Sequence, residues 1–281
     1  MHYGFIIPGG DVESIPALTA GAEAAGWDGV FIPDCISIET PDHPAGEWYD
    51  PWILLALMAA RTQRVRLGTM LTPPSRRRPW KLARELVTLD RLSNGRMVLP
   101  VGLGAAEDDA GFSRVGEVMS LKERARILDE SLAILDGLWR GQPFTYAGAY
   151  YHIEGMTLLP CPVQQPRIPI WVVGAWPHQK SMQRALRWDG ILPTKKDGSN
   201  SALTPADIRV MRAYIEENRP ATAPFDIVVE GETPGSDPEQ AAAHVRAWEE
   251  AGATWWLESM WGDGVTGADV SRRIQQGPPR P

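Results

Sequence analysis

The chain has 281 residues, of which 43% are hydrophobic and 22% are charged, and these proportions are typical of a globular protein with a sizeable core. Its formal net charge of −7 disfavours nucleic acid and anionic membranes as partners, because an acidic surface repels both. No run of about 18 apolar residues and no leader-like segment occurs, so we predict a cytoplasmic protein without a membrane span. Cys35 and Cys161 are far apart in sequence and are expected to be thiols.

Short apolar segments alternate with helical patterns along most of the chain. Strands are predicted at 3–7, 29–33, 65–71, 97–101, 168–173, 190–192, 225–230 and 254–259. Helices are predicted at 14–25, 51–61, 80–92, 121–139, 178–187, 204–218 and 238–251. Three of the helices start with a cap residue before a proline, at Asp50, Thr204 and Asp237. Eight strands that alternate with helices indicate a closed parallel (β/α)8 TIM barrel, a fold of about 250 residues.

One segment, residues 143–166, interrupts the alternation. Its aromatic and polar positions alternate, it contains turn glycines and it ends in prolines, so it is predicted to be a β-hairpin inserted between the fourth helix and the fifth strand. Residues 1–281 are predicted to form a single domain with a frayed tail at 275–281. An open, doubly wound sheet is the alternative fold, but Pro8-Gly9-Gly10-Asp11 does not provide the glycine-rich phosphate loop that such a fold places after its first strand.

The most informative stretch is residues 65–104, which predicts a strand, a loop, a helix and a second strand. Thr72-Pro73-Pro74 ends the first strand, and Gly102-Leu103-Gly104 follows the second. Two glycines beside a strand end permit a planar ligand to approach the backbone closely. In a β/α barrel the carboxyl ends of the strands carry the chemistry, so the stretch predicts a cofactor site there.

This stretch, VRLGTMLTPPSRRRPWKLARELVTLDRLSNGRMVLPVGLG, resembles the bacterial luciferase-like monooxygenase family of flavin- and deazaflavin-dependent oxidoreductases. Residues 22–34 (AEAAGWDGVFIPD) are similar to the family's first helix and second strand. Residues 166–193 are similar to its fifth strand, the helix that follows and its sixth strand. The resemblance covers roughly residues 1–262 and implies a single luciferase-like TIM-barrel domain.

The resemblance implies an oxidoreductase that uses reduced FMN and dioxygen to oxygenate a small organic substrate, with a flavin reductase as a partner. The same family also implies an alternative, in which the deazaflavin coenzyme F-420 exchanges hydride with the substrate. Two further alternatives stay open: a flavin-binding barrel without turnover, and a cofactor-free hydrolase or isomerase that would use Glu230 and Glu258. Relatives are often homodimers, and the apolar helix at 52–60 could form such an interface, although a core-facing helix predicts the same pattern.

The catalytic candidates are Asp34, Cys35 and Glu258. Many relatives have an Asp-His pair where this chain has Asp34 and Cys35, and a neutral thiol cannot replace an imidazole as a base near neutral pH. In the competing interpretation Asp34 orients a loop and Cys35 is a small buried filler. Glu258 could donate a proton if burial raises its pKa, or it could be a salt-bridged structural group.

The resemblance assigns the cofactor to three strand ends and one helix. These residues are Gly68, Thr69 and Met70; Gly102, Leu103 and Gly104; Arg124; and Val173, Gly174, Ala175 and Trp176. In relatives the segment that corresponds to residues 68–70 runs under the flavin ring and often contains a non-proline cis peptide. In this chain, the resemblance makes Arg124 the preferred ligand of the flavin phosphate. Alternatively, the glycines are required only by packing, and Arg124 forms a surface salt bridge. The five histidines are scattered, so no metal site is predicted.

Overall fold

The computed structural model describes residues 1–37, 46–104, 111–196, 198, 201–220, 224–262 and 264–280. The strands are β1 (His2–Ile6), β2 (Gly29–Ile32), β3 (Arg66–Thr69), β4 (Leu99–Val101), β5 (Phe144–Ala147), β6 (His152–Met156), β7 (Ile170–Trp176), β8 (Gly190–Lys195), β9 (Asp226–Gly231) and β10 (Trp255–Glu258). The helices are α1 (Ser14–Ala24), α2 (Pro51–Arg61), α3 (Pro79–Leu92), α4 (Leu121–Trp139), α5 (Gln179–Ala185), α6 (Pro205–Asn218), α7 (Pro238–Ala251) and α8 (Gly267–Gln275).

The parallel strands form one sheet in the order β3-β2-β1-β10-β9-β8-β7-β4. The two outer strands of this order also meet, because Leu67 pairs with Met97 and Thr72 pairs with Val101, both in parallel. The Val98 amide donates a hydrogen bond to the Leu67 carbonyl at 2.9 Å. These contacts close the sheet, so the predicted TIM barrel is confirmed and the open doubly wound sheet is wrong.

Large side chains fill the barrel interior. Side chains on a strand alternate between its two faces, so one set of residues points into the barrel and the other packs against the surrounding helices. The inward set, called the interior cluster below, consists of Ile6, Phe31, Val98, Trp171, Leu192, Val228, Trp255 and Leu257. The ring centroids of Trp171 and Trp255 are 5.3 Å apart. Several of the 12 tryptophans in the chain are therefore core residues.

The predicted helix starts are confirmed at three caps. The Asp50 carboxylate accepts hydrogen bonds from the backbone amides of the first turn of α2, at 2.9 and 3.1 Å. Thr204 and Asp207 form a reciprocal capping box at the start of α6, and Asp237 accepts from the Gln240 amide at 3.0 Å. Each cap satisfies amides that lack a partner within the helix and thereby fixes where the helix begins.

The segment that interrupts the alternation contains an antiparallel pair, β5 and β6, between α4 and the fifth barrel strand, β7. The carboxyl-terminal region differs from the frayed tail expected at 275–281. Helix α8, which was not predicted, accepts a hydrogen bond from the Trp27 indole at the Ile274 carbonyl, at 3.0 Å. Arg280 donates to the Gly26 carbonyl at 2.8 Å. The described part of the tail therefore lies against the barrel.

The helices and the cysteines bear on the expected absence of membrane spans and disulfides. Among the described residues, no helix is both long enough and apolar enough to cross a membrane. Both cysteines of the chain are described, and neither forms a disulfide.

Asp226, the first residue of β9, has a largely buried carboxyl group. It accepts hydrogen bonds from the Trp171 indole and the Thr254 hydroxyl, each at 3.0 Å. Burial raises the pKa of Asp226 above its ordinary value of 3.8, and the hydrogen bonds and the nearby charges of His2 and Arg66 only partly oppose this. The folded state therefore holds this proton more tightly than the unfolded state does.

This raised pKa predicts a pH-dependent stability. The contribution of Asp226 is fully present below the unfolded pKa of 3.8 and is lost as pH rises through the higher folded pKa. We expect the Asp226→Asn variant to gain stability relative to the wild type as pH rises from about 4 to about 8. Urea unfolding of both proteins across this range measures the difference. Parallel pH profiles for the two proteins would show that Asp226 does not carry this linkage.

Candidate active site

A cavity of about 620 Å³, called the front cavity below, opens at the carboxyl ends of the barrel strands. The residues of the sequence prediction that line it are Asp34, Cys35, Met70, Leu103, Gly104, Val173 and Ala175. They come from the ends of β2, β3, β4 and β7, which are distant in sequence but adjacent around the barrel. The structure therefore brings together most of the strand ends that were predicted to form the site.

The inner part of the front cavity is apolar. Met70, Leu71 and Val173 line it and pack against the interior cluster. Leu103 and Phe112 add further apolar surface, and several other lining residues are polar. Such a combination of an apolar interior and a few polar groups is typical of sites for planar organic ligands.

Several lining residues were missed by the sequence prediction. They are Pro33, Leu71, Pro73, Phe112, Leu121, His178, Thr194, Lys196 and Trp261. Strand β8 extends to Lys195, beyond its predicted end at residue 192, so a longer strand would have placed Thr194 and Lys196 at the barrel mouth. Phe112 and Trp261 lie in connections between elements, and the sequence offers no periodic signal for the path of such segments.

The third strand end has the geometry that the resemblance implied. The peptide bond between Met70 and Leu71 is cis. The hydroxyl groups of Thr69 and Thr72 are hydrogen-bonded to each other at 2.7 Å, and Thr72 donates to the Asp34 carboxylate at 2.8 Å. Thr69 is buried and does not line the cavity. Its hydroxyl instead helps to fix the segment that carries Met70 and Leu71.

Asp34 lies in a dense ion-pair network, and its side chain has no solvent exposure. Arg77 reaches it with two nitrogens, with its Nη2 2.8 Å from one carboxylate oxygen. Arg76 also donates to the Asp34 carboxylate and to its backbone carbonyl. A general base needs an oxygen that can accept a substrate proton, and here donors surround both oxygens. These contacts favour the interpretation in which Asp34 orients a loop, and they count against its predicted role as a catalytic residue.

Cys35 lies between two cavities. It lines the front cavity and also a polar cavity of about 350 Å³ that Asp34, Tyr49, Arg76 and Arg77 help to form. The side chain is half-buried rather than sequestered in the core. Its position beside the front cavity agrees with the predicted site, and a chemical role for its thiol stays a prediction.

Arg124, the predicted phosphate ligand, is buried beside the front cavity. The residue has 0% exposure, and its Nε donates to the Val118 carbonyl at 2.5 Å. Its Nη1 lies 3.4 Å from the Leu103 carbonyl, and its guanidinium carbon lies 4.0 Å from the centre of the Phe112 ring. These contacts favour a role in holding the cavity wall in place, and the role of phosphate ligand stays a prediction.

Glu258 does not have the predicted position for a catalytic residue, because its side chain points away from the front cavity. It lies on the same face of β10 as Trp256, whose indole donates to it at 2.9 Å, whereas the neighbouring Leu257 belongs to the interior cluster. The Thr233 amide and hydroxyl donate at 2.7 and 2.9 Å, and the Arg273 Nε donates at 3.1 Å. Glu258 is thus a buried structural carboxylate.

The carboxylate pair that a cofactor-free hydrolase would need does not form. Glu258 is turned toward α8, whereas Glu230 is exposed and accepts a hydrogen bond from the Trp261 indole. Among the described residues, no group of three or more histidine, cysteine, aspartate or glutamate side chains could hold a metal ion. Neither observation supports hydrolysis at this end of the barrel.

Two of the glycines assigned to the cofactor are explained by packing. A Cβ atom at Gly68 would lie 2.6 Å from the Val98 carbonyl oxygen, and one at Gly174 would lie 2.2 Å from a side-chain carbon of Ile191. Neither glycine lines the front cavity. Gly68 and Gly174 are therefore required by the close packing of the barrel, which was the alternative interpretation.

The glycines after β4 differ from each other. Gly102 is also confined by packing, because a Cβ atom there would lie 2.9 Å from Val173 and 3.1 Å from Leu71. Gly104 lines the cavity with a φ of +81°, which favours glycine, and a Cβ atom would lie 2.9 Å from the Phe112 ring. Gly104 is the member of this group whose missing side chain keeps the cavity open.

Trp176 does not line the front cavity. Its ring packs at 5.6 Å from the ring of Tyr214, so its contact is with α6. The amide of Ala175, which the resemblance assigned to the cofactor, donates to the Ser181 hydroxyl at 2.9 Å. Val173 and Ala175 are thus the members of the predicted fifth-strand group that line the cavity.

The amino-acid sequence is similar to those of several known proteins. An F420-dependent glucose-6-phosphate dehydrogenase of Microbacterium testaceum is 34% identical over 157 residues, which cover 56% of this chain and 45% of that protein. The chain therefore aligns with less than half of that relative. The enzyme of the same name from Nakamurella multipartita is 30% identical over 233 residues, which cover 82% of this chain and 66% of that protein.

Solved structures show the same fold. An F420-dependent secondary alcohol dehydrogenase in complex with an F420-acetone adduct has a TM-score of 0.78 at 18% identity, and 97% of each chain is covered. A type II Baeyer-Villiger monooxygenase of Pseudomonas putida in complex with FMN has a TM-score of 0.72 at 16% identity, with 98% of this chain and 96% of that chain covered. The sequence model of the luciferase-like monooxygenases matches residues 4–273. The chain belongs to the luciferase-like monooxygenase family.

Proposed function

We propose that the chain is an oxidoreductase that binds the deazaflavin coenzyme F-420 in the front cavity and exchanges hydride between it and a small organic substrate. The observation that carries the proposal is the largely apolar cavity of about 620 Å³ at the carboxyl ends of the strands, with a few polar groups in its lining. Support for the deazaflavin comes from the relatives named F420-dependent, which are 30–34% identical.

The cavity residues fit such a group. Met70, Leu71 and Val173 offer an apolar surface for a ring system, and Gly104 leaves space beside Phe112. Lys196 and His178 also line the cavity and would hold the anionic tail, because an ammonium group donates charge-assisted hydrogen bonds and an imidazole N–H can donate another. When bound, the deazaflavin supplies the hydride chemistry, and the protein supplies position and exclusion of water.

The chain's own residues have three tasks in this proposal. The apolar walls exclude water from the reacting face. The hydrogen bonds from Thr69 to Thr72 and on to Asp34 keep Met70 and Leu71 in place. Lys196 and His178, which also line the cavity, hold the anionic tail of the coenzyme.

Oxygenation with reduced FMN and dioxygen is the second candidate. It is favoured by Cys35, because the histidine that certain deazaflavin dehydrogenase mechanisms require is missing at that position. Arg124, which favoured FMN in the sequence as the expected phosphate ligand, is buried and donates to backbone carbonyls, so it lends FMN less support. A flavin reductase partner and a homodimer, as well as the cytoplasmic location, stay predictions.

Anaerobic titration with reduced F-420 and, in parallel, with reduced FMN tests the proposal. We expect saturable binding of F-420, weakened about tenfold in Lys196→Met, since one charge-assisted contact is worth about 1.5–3 kcal/mol. The matched control is Lys81→Met, which removes an exposed lysine on α3 that pairs with Glu85, and it should bind like the wild type. Tighter binding of FMN would select the second candidate, and binding of neither would overturn both.

A further inference from the structure

A second cavity, of about 660 Å³, lies at the opposite end of the barrel and is called the rear cavity below. Residues at or near the amino-terminal ends of the strands line it, including His2, Arg64, Arg66, Trp171, Asp226 and Trp255. Neither the fold nor the proposed function uses this end, since barrel chemistry is placed at the carboxyl ends of the strands.

The two cavities are separated by packed side chains. Trp171 and Trp255 belong to the interior cluster and line the rear cavity, whereas Met70 and Val173 pack against that cluster from the side of the front cavity. The tilted Trp171 and Trp255 rings lie 5.3 Å apart. Their indoles give the rear cavity an aromatic inner end, against which an apolar body can pack.

Arginines dominate the charge of the rear cavity. The Arg66 guanidinium donates to the Gln164 side chain at 3.1 Å, and the Arg64 guanidinium donates to the Glu23 backbone carbonyl. Among the described residues, neither guanidinium forms an ion pair with a carboxylate. A guanidinium that donates only to neutral oxygens can also bind an external anion through parallel hydrogen bonds.

The carboxylates of the rear cavity do not cancel this charge. Asp189 is bound by two nitrogens of Arg167, at 2.9 and 3.0 Å, so that this pair is nearly neutral. Asp28 accepts the Tyr3 amide at 2.9 Å and lies near Arg280. Asp226 accepts hydrogen bonds from the Trp171 indole and the Thr254 hydroxyl, each at 3.0 Å, and these donors offset part of its charge.

We propose that the rear cavity is a second binding site, which takes an aromatic carboxylate. The carboxylate binds the guanidinium groups of Arg64 and Arg66, and the ring packs against Trp171 and Trp255. This inference is independent of the proposed function, because it concerns the other end of the barrel and requires no redox cofactor.

Isothermal titration with 2-naphthoate tests this proposal, with the neutral 2-naphthamide as the matched probe. We expect saturable binding of the acid, weakened at least about tenfold in Arg66→Gln and in Arg64→Gln, and weaker binding of the amide. Arg272→Gln, which removes an exposed arginine paired with Asp269 on α8, is the control and should bind normally. The use of two separate arginine variants keeps the test valid if one of them fails to fold.

A further variant distinguishes the two cavities. Ala175→Phe narrows the front cavity and should leave 2-naphthoate binding unchanged, because Ala175 does not line the rear cavity. The proposal is overturned if the acid does not bind saturably, if the amide binds equally well, or if Ala175→Phe abolishes binding while both arginine variants retain it.

Discussion

Replacing Ala175 with phenylalanine is expected to weaken binding of reduced F-420 by more than about 100-fold, a loss of about 2.7 kcal/mol. Ala175 lies near the end of β7 and lines the front cavity beside Val173. A phenyl ring there would occupy space that the proposed ring system needs, and a ligand that cannot enter loses all its contacts rather than one. Anaerobic titration followed by absorbance and fluorescence measures the loss.

The matched control for this prediction is Ala147→Phe. Ala147 ends β5 and is exposed, so the same change there adds an equal side chain away from both cavities. Circular dichroism should show that both variants fold like the wild type. Unchanged F-420 affinity in a folded Ala175→Phe protein would mean that the coenzyme does not bind in the front cavity.

The second large effect concerns stability. Arg273 is 6% exposed and donates to Glu258 at 3.1 Å, to the Thr233 hydroxyl at 2.9 Å and to the Gly277 carbonyl at 2.8 Å. Arg273→Met would leave Glu258 buried without its cationic partner. Breaking such a pair costs about 3–5 kcal/mol, because the remaining charge stays desolvated. We therefore expect a reduction of this size in the free energy of unfolding, measured with urea.

The neighbouring residue gives a sharp control. Arg272 is exposed and pairs with Asp269 within the same helix, so Arg272→Met should cost less than about 1 kcal/mol. Adding Glu258→Gln to Arg273→Met should recover part of the lost stability, since the uncompensated charge is removed. Equal unfolding free energies for the two single methionine variants would refute the structural role assigned to Glu258.

The sequence predicted the barrel well because its signal is local and repeated. The spacing of apolar residues identifies each strand and each amphipathic helix separately. Eight strand-helix units in succession can form few folds other than a closed barrel. Helix α8 was missed although Thr266 and Asp269 form a capping box at its start. That capping signal was present in the sequence, and its use would have predicted the start of the helix.

The site was predicted less completely, for a physical reason. Strand position shows where a residue lies along the barrel, but a strand with apolar residues on both faces does not show which residues point inward. Glu258 and Trp256 face the helices, whereas Leu257 faces the interior. Arg124 illustrates the same limit, because its partners are the carbonyls of Leu103 and Val118, which no side-chain pattern reveals.

A crystal structure of the protein with oxidised F-420 would show where the coenzyme binds. We expect the deazaflavin ring in the front cavity, in contact with Met70, Leu71 and Val173, and the anionic tail near Lys196 and His178. A ring bound outside this cavity would refute the proposed binding site, and so would a cavity that stays filled with solvent at saturating F-420.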